Sequence, residues 1–218
     1  MTRLAVFDCD GTLIDSQINI CLAMEAAFAR SGIAAPPRAS IRRIVGLSLV
    51  EAVAELLPDA DGAYHARVAA DYKQAFWDLR ADGLVDEPLF DGIADLLAQL
   101  ADDGWLLGVA TGKSDRGLAL ALDHHGLTGH FITLQTADRH PSKPHPSMVM
   151  TAMADAGATP ADTVVIGDTS FDIAMALNAG TRAVGVAWGY HDTADLVRAG
   201  AHAIARHPSD LVGLLEVA

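Results

Sequence analysis

Residues 3–7 form a short apolar run with no polar alternation, and the run stops at Asp8. Such a segment is a strand buried on both faces, so its sheet must be covered by helices on both sides. Further strands are expected at residues 105–110, 131–134, 163–166 and 182–187. Between them, helical spacing links Ile93, Leu96, Leu97 and Leu100, then Leu118, Ala121 and Leu122, then Val149, Ala152, Met153 and Ala156. A last helix closes near Asn178-Ala179-Gly180. Strands taking turns with helices make a parallel, doubly wound sheet. Ligands bind such sheets beyond the carboxyl ends of the strands, so the residues after Phe7, Ala110 and Ile166 should face one crevice.

The alternation is broken once. Ser16 is a plausible N-cap for a helix with Ile18, Cys21, Leu22, Phe28 and Ala29 on one face, closed by Ser31-Gly32. From Ala34 to about Asp82 no strand signal follows: Pro36-Pro37 break the chain, Ser48 can cap a helix ending near Pro58, and Tyr64, Val68, Tyr72, Phe76 and Leu79 share a helical face. The expected class is therefore α/β, a doubly wound, mostly parallel, Rossmann-like sheet with an inserted all-helical segment. Residues 1–15 and 83–218 belong to the α/β core and 16–82 to the insert.

Of the 218 residues, 51% are hydrophobic, enough to bury a core. Fifteen Lys and Arg against 28 Asp and Glu leave a net charge of −13, which repels nucleic acid and anionic membranes. A small anion is still admissible, because a bound cation and a few donors can reverse the field inside a cleft. Cys9 and Cys21 are too few for a disulfide framework or a four-cysteine zinc site. With no apolar run of membrane-spanning length and an acid at position 8, the expectation is a cytoplasmic protein without a membrane or nucleic-acid partner.

Four strand ends carry chemistry. Asp8-Cys9-Asp10-Gly11-Thr12 sets two carboxylates one residue apart, an arrangement that suits a hard divalent ion such as magnesium and equally describes a solvated acidic turn. Cys9 between them should turn into the core. Thr111-Gly112-Lys113 offers a hydroxyl and free N–H groups that can hold a phosphoryl oxygen, before a helix that Ser114 could cap. Lys143 sits among Pro141, Pro144 and Pro146, which limit the wandering of its loop; His145 beside it reads as an ordinary loop residue. Asp168 ends a strand and Asp172 follows one helical turn later, so both can aim at one metal or simply cap the helix. Their occurrence in order, at turns meeting on one sheet edge, is what phosphoryl transfer requires.

Those residues resemble the four motifs of the haloacid dehalogenase superfamily, in particular its phosphoglycolate phosphatase-like branch. The resemblance rests on Asp8-x-Asp10-Gly11-Thr12-Leu13-x-Asp15-Ser16, Thr111, Lys143 and Gly167-Asp168-x-x-x-Asp172 and covers nearly the whole chain. It implies a Mg2+-dependent phosphomonoesterase. Asp8 would be the nucleophile, and Asp10 the acid that protonates the leaving group and then activates water. Thr111, Gly112 and Lys143 would hold and offset the phosphoryl oxygens. Asp8, the Asp10 carbonyl and Asp168 would hold magnesium, and Asp172 would orient that shell. The insert matches the family's helical cap, in which Arg42, Arg43, Gly46, Lys73 and Arg80 could touch the far end of a small phosphorylated metabolite, phosphoglycolate-like or a sugar phosphate. Thr111-Gly112 departs from the Ser/Thr-Asn of many members of that family, keeping the hydroxyl and losing a possible amide contact. The motifs alone also admit a sugar phosphomutase of the β-phosphoglucomutase type and a silent binding protein; Asp10 and Asp168 argue against a dehalogenase. The partner is expected to be the metabolite, and the protein a monomer or homodimer.

Overall fold

The computed structural model describes residues 2–216. Strand β1, Leu4–Phe7, is buried at all four residues and pairs in parallel with both β2 (Leu106–Thr111) and β4 (Thr163–Gly167). With β3 (Thr133–Thr136), β5 (Arg182–Val186) and β6 (Ala203–Ala205), the order is β3-β2-β1-β4-β5-β6, every neighbouring pair parallel. Because Phe7 is level with both Val109 and Ile166, Asp8, Thr111 and Asp168 leave the sheet at one edge.

Strand alternation sorts side chains between two faces. Ala5 and Phe7 join a core with α5 (Ile93–Asp102), α6 (Asp115–His124) and α10 (Asp210–Glu216). Leu4 and Val6 join the other, with α7 (Ser147–Ala156), α8 (Ser170–Asn178) and α9 (Thr193–Arg198). Each fully buried Leu, Val or Phe contributes about 1.5–3 kcal/mol. Helices α1 (Gln17–Arg30), α2 (Arg38–Arg43), α3 (Leu49–Leu56) and α4 (Gly62–Ala81) enclose a third cluster around Met24, Phe28, Ile41, Val53 and Val68.

Several elements differ from expectation. The buried stripe of α1 runs through Ile20, Cys21, Met24, Ala27 and Phe28, while Ile18 is 61% exposed and Ala29 is exposed. Asn19 fixes that rotation: buried beside Ile20, it donates to the Leu84 carbonyl at 3.1 Å and accepts from the Asp86 amide at 3.0 Å. Ser16 precedes α1 but makes no capping bond, because its hydroxyl is turned to Asp10. The Ser48 hydroxyl likewise bonds the Glu51 side chain, whereas Ser114 caps α6 through the Gly117 amide at 3.1 Å. Strand β3 begins two residues later than expected, and Phe131 packs into the core ahead of it. Helix α2 and the final α9, β6 and α10 are additions; these short elements carry too few periodic residues to register as patterns. Among the described residues, no helix is long and apolar enough to cross a membrane.

The corrected face of α1 has a measurable consequence. Ile18→Lys should change unfolding free energy by no more than about 0.5 kcal/mol, and Met24→Ala should lower it by about 2–5 kcal/mol. Equal losses in urea denaturation would mean that the stripe is wrongly assigned.

Candidate active site

The site begins where β1 runs out. The Asp8 amide makes a last ladder bond to the Ile166 carbonyl at 2.8 Å, and the Cys9 carbonyl then accepts from the amides of Leu13 and Ile14 at 2.9 and 3.0 Å. Gly11 takes φ +85° within that turn, and a Cβ there would collide with the Asp168 carboxylate. Glycine is thus required twice, for its backbone and for the closeness of Asp168. Thr12 donates to Asp168 Oδ1 at 3.0 Å, and the Tyr190 amide donates to Oδ2 at 2.8 Å.

Asp8, Asp168 and Asp172 converge, with one oxygen of each within 4.8 Å of the others, and all three are buried. Lys143 enters from the loop before α7. Its Nζ donates to Asp172 Oδ1 at 2.6 Å and forms an ion pair with Asp8 Oδ1 at 2.8 Å. The other Asp172 oxygen closes a capping box with the amide and hydroxyl of Thr169, at 3.0 and 2.7 Å. Both oxygens of Asp8 are buried without a hydrogen-bond partner. Burial drives the Asp8 carboxyl up to about 7, against the pull of the Lys143 cation and reinforced by Asp172. Burial also pushes Asp168 well above the usual carboxylate range, with repulsion from Asp8 and Asp172 adding to the rise. For Lys143, burial works downward, but Asp172 and Asp8 outweigh it and hold the ammonium above its ordinary value. Three buried carboxylates, one with both oxygens bare, form a hard oxygen donor set that a divalent cation fits.

Asp10 occupies a different environment. Its Oδ1 accepts from the Ser16 hydroxyl and lies 2.9 Å from Lys113 Nζ, so its side chain stands apart from the three-carboxylate cluster. Lys113 continues to Glu87 at 2.9 Å, and Glu87 to Arg80 of α4 at 2.9 Å. Burial would raise the Glu87 carboxyl, but the Lys113 and Arg80 cations prevail and hold it low. Cys9 turns into the core, and burial pushes its thiol well up. Thr111 is fully buried and accepts from the Lys113 amide at 3.2 Å. A Cβ on Gly112 would lie 2.5 Å from the Leu47 carbonyl oxygen and 2.9 Å from that of Gly46, so glycine is what lets the helical block approach this turn.

Between block and core lies a cavity of about 1000 Å³, reached by Asp8, Asp10, Thr111 and Gly112. Gly46, Lys73 and Arg80 line it; Arg42 and Arg43 instead line a separate pocket of about 250 Å³ beside Tyr190 and His191. His145 is an exposed loop residue. The sequence does not single out Glu87, Ser16 as a partner of Asp10, or Tyr190, and assigns Lys113 no role. These contacts join residues up to 174 positions apart, as for Ser16 and Tyr190, and no local pattern announces them.

The buried charges make stability depend on pH in metal-free protein. A carboxyl raised from 3.8 to about 7 binds its proton more tightly when folded, so its burial is destabilising above pH 7, and the penalty fades as pH falls toward 4. Lys143→Met removes the one cation touching both Asp8 and Asp172 and should cost about 3–5 kcal/mol at pH 8. At pH 5 the loss should shrink as Asp8 and Asp168 take up protons. Urea denaturation in EDTA measures both, and an equal loss at the two pH values would contradict this electrostatic account.

Comparison with known proteins agrees with this geometry. The family model of haloacid dehalogenase-like hydrolases matches residues 5–186. The chain is 36% identical over 217 residues to the probable phosphatase IndB of Dickeya dadantii, covering 98% of this chain and 93% of that protein. It is 31% identical over 194 residues to phosphoglycolate phosphatase of Xylella fastidiosa, covering 88% and 83%. The crystal structure of a predicted phosphatase from Clostridium acetobutylicum superposes with a TM-score of 0.89 at 26% identity, covering 100% of both chains. With the three-carboxylate edge, the buried lysine and a match over most of its length, this chain belongs to the haloacid dehalogenase-like hydrolase family.

Proposed function

We propose that this phosphatase-like hydrolase is a Mg2+-dependent phosphomonoesterase for a small phosphorylated metabolite, working through an aspartyl-phosphate on Asp8. The observation that carries the reading is the Asp8 carboxylate: it is buried, lines the cavity, meets Lys143 at 2.8 Å through Oδ1 and leaves Oδ2 without a partner. A carboxylate kept bare in this way is available both as a nucleophile and as a ligand.

In the first step an Asp8 oxygen bonds to phosphorus, the ester P–O bond breaks, and the departing alkoxide takes a proton from Asp10. In the second, Asp10 accepts a proton from water, whose oxygen attacks the phosphorus; inorganic phosphate leaves and the Asp8 carboxylate is restored. Ser16 and Lys113 keep the Asp10 carboxyl aimed. Thr111 and the Gly112 amide hold the transferring oxygens, and Lys143 offsets their charge. Asp8, Asp168 and the Asp10 backbone carbonyl would hold magnesium, with Asp172 orienting Lys143 and that shell. The ion supplies charge neutralisation for the phosphoryl group. Residues 16–82 act as the cap on a core of 1–15 and 83–218, excluding water from the cavity. The separate hydrophobic cluster of α1 to α4 supports that division.

Phosphate release from a panel of monoesters tests the reading. Release with Mg2+ and its loss in EDTA are expected, and Asp8→Asn should reduce turnover to background with circular dichroism unchanged. Release that survives EDTA, or needs a bisphosphate activator, would replace this reading with another. A readout free of turnover is thermal stability. Mg2+ at about a hundred times its Kd should add about 2.7 kcal/mol, on the order of 5–10 °C in Tm, and Asp168→Asn should abolish most of that gain.

A further inference from the structure

The cavity is large for a short acid. Sites of roughly 300–1000 Å³ enclose drug-sized ligands, and this one has a volume of about 1000 Å³. Its wall on the helical block is built from Ile20, Met24, Ile44, Leu49, Phe76 and Trp77.

Charge points the same way as size. At the reacting end, five carboxylates, Asp8, Asp10, Glu87, Asp168 and Asp172, stand against the three cations Lys113, Lys143 and Arg80. Each cation is already bound: Lys113 between Asp10 and Glu87, Lys143 between Asp8 and Asp172, Arg80 to Glu87. A phosphoryl dianion adds to the negative excess, and the divalent ion proposed above offsets only one of the two. The remaining cations lining the cavity are exposed. Arg116 lies over the Trp77 ring with its guanidinium carbon 4.0 Å from the centroid, and Lys73 is at the rim. Among the described residues, a second anionic group on the substrate therefore meets no uncompensated buried cation.

We propose that the alcohol esterified in the substrate is uncharged and lays an apolar or aromatic face on this wall, and that the site selects such esters over short acids such as phosphoglycolate. The inference rests on the phosphatase reading above. Water leaves both surfaces when the alcohol docks, whereas a carboxylate would give up its hydration for no more than the exposed, water-screened cations Arg116 and Lys73 at the rim. Trp77, 44% exposed and already carrying Arg116 on its ring, is the wall residue placed to meet the substrate's far end.

The test uses the full chain with Mg2+ and three alkyl phosphates of matched leaving-group chemistry: phenylethyl phosphate, glycerol phosphate and phosphoglycolate. Phenylethyl phosphate should give the highest kcat/KM, at least about tenfold above phosphoglycolate, with glycerol phosphate between them. Trp77→Ala should raise KM for phenylethyl phosphate about fivefold and leave glycerol phosphate within about twofold. Lys73→Ala should leave the ranking unchanged. Phosphoglycolate turned over as well as or better than phenylethyl phosphate would overturn the inference while leaving the phosphatase reading intact, and so would a selective loss of phosphoglycolate turnover in Lys73→Ala. Release from none of the three would remove the phosphatase reading and this inference together.

Discussion

The ammonium of Lys143 is the point on which the site depends. It lies fully buried between Asp8 and Asp172, with Asp168 alongside, and no other cation reaches this cluster among the described residues. Taking a charge out of water costs several kcal/mol per ion even after relaxation, against a net stability of about 5–15 kcal/mol for a whole domain. The surrounding fold is arranged to meet that demand. Three adjacent parallel strands in register deliver Asp8, Thr111 and Asp168 to one edge, α8 begins with the box that fixes Asp172, and the α7 loop brings in Lys143. Even so the compensation is incomplete, since Asp8 retains two unbonded oxygens. That residual imbalance distinguishes the cluster from a closed structural ion pair and supports the proposed roles of nucleophile and cation ligand.

Beside the Arg80–Glu87 ion pair and the Asn19 bonds, the helical block is tied to the core by contacts of backbone and aromatic rings. Gly46 and Leu47 press on Gly112, the Ser142 hydroxyl accepts from the Ser48 amide at 2.8 Å, Arg116 stacks on Trp77, and His191 meets the Arg43 carbonyl at 3.0 Å. Gly112 carries no side chain where the block meets this turn. Here the Leu47 carbonyl occupies the space that a Cβ would need, so the missing side chain and the close approach of the block are one feature.

Much of this architecture was legible in the sequence because it depends on local periodicity. Apolar runs gave β1 to β5, 3.6-residue spacing gave α5 to α7, the Asn178-Ala179-Gly180 stop gave α8, and the break in alternation gave the helical block. The three-carboxylate cluster was legible too, because Asp8, Asp168 and Asp172 follow strand ends that the topology brings together, whereas Lys143, in a loop well past the end of β3 at Thr136, was marked only by its flanking prolines and the family resemblance. The rotation of α1 was not. Ile18 is as apolar as Ile20, and only the bonds from buried Asn19 to the segment at Leu84 and Asp86 decide which of them turns inward. The chain from Asp10 through Lys113 and Glu87 to Arg80 was hidden for the same reason: it joins a turn, a strand end, a connecting loop and a helix of the insert.

Asp8 and Asp10 show why such distant contacts matter for chemistry. The two are i and i+2 at the end of one strand, identical in side chain and alike in burial, with Cys9 turned the other way into the core. What separates them is the company each keeps. Asp8 faces two carboxylates and one lysine and has no hydrogen bond, a state suited to forming a bond with an electrophile or a cation. Asp10 is held by a hydroxyl and an ammonium that is itself anchored to Glu87, a state suited to keeping a carboxyl in one orientation while a proton moves on and off it. Because Glu87 also binds Arg80, the anchor reaches into α4. The orientation of Asp10, the proposed proton carrier, is thereby tied to the position of α4.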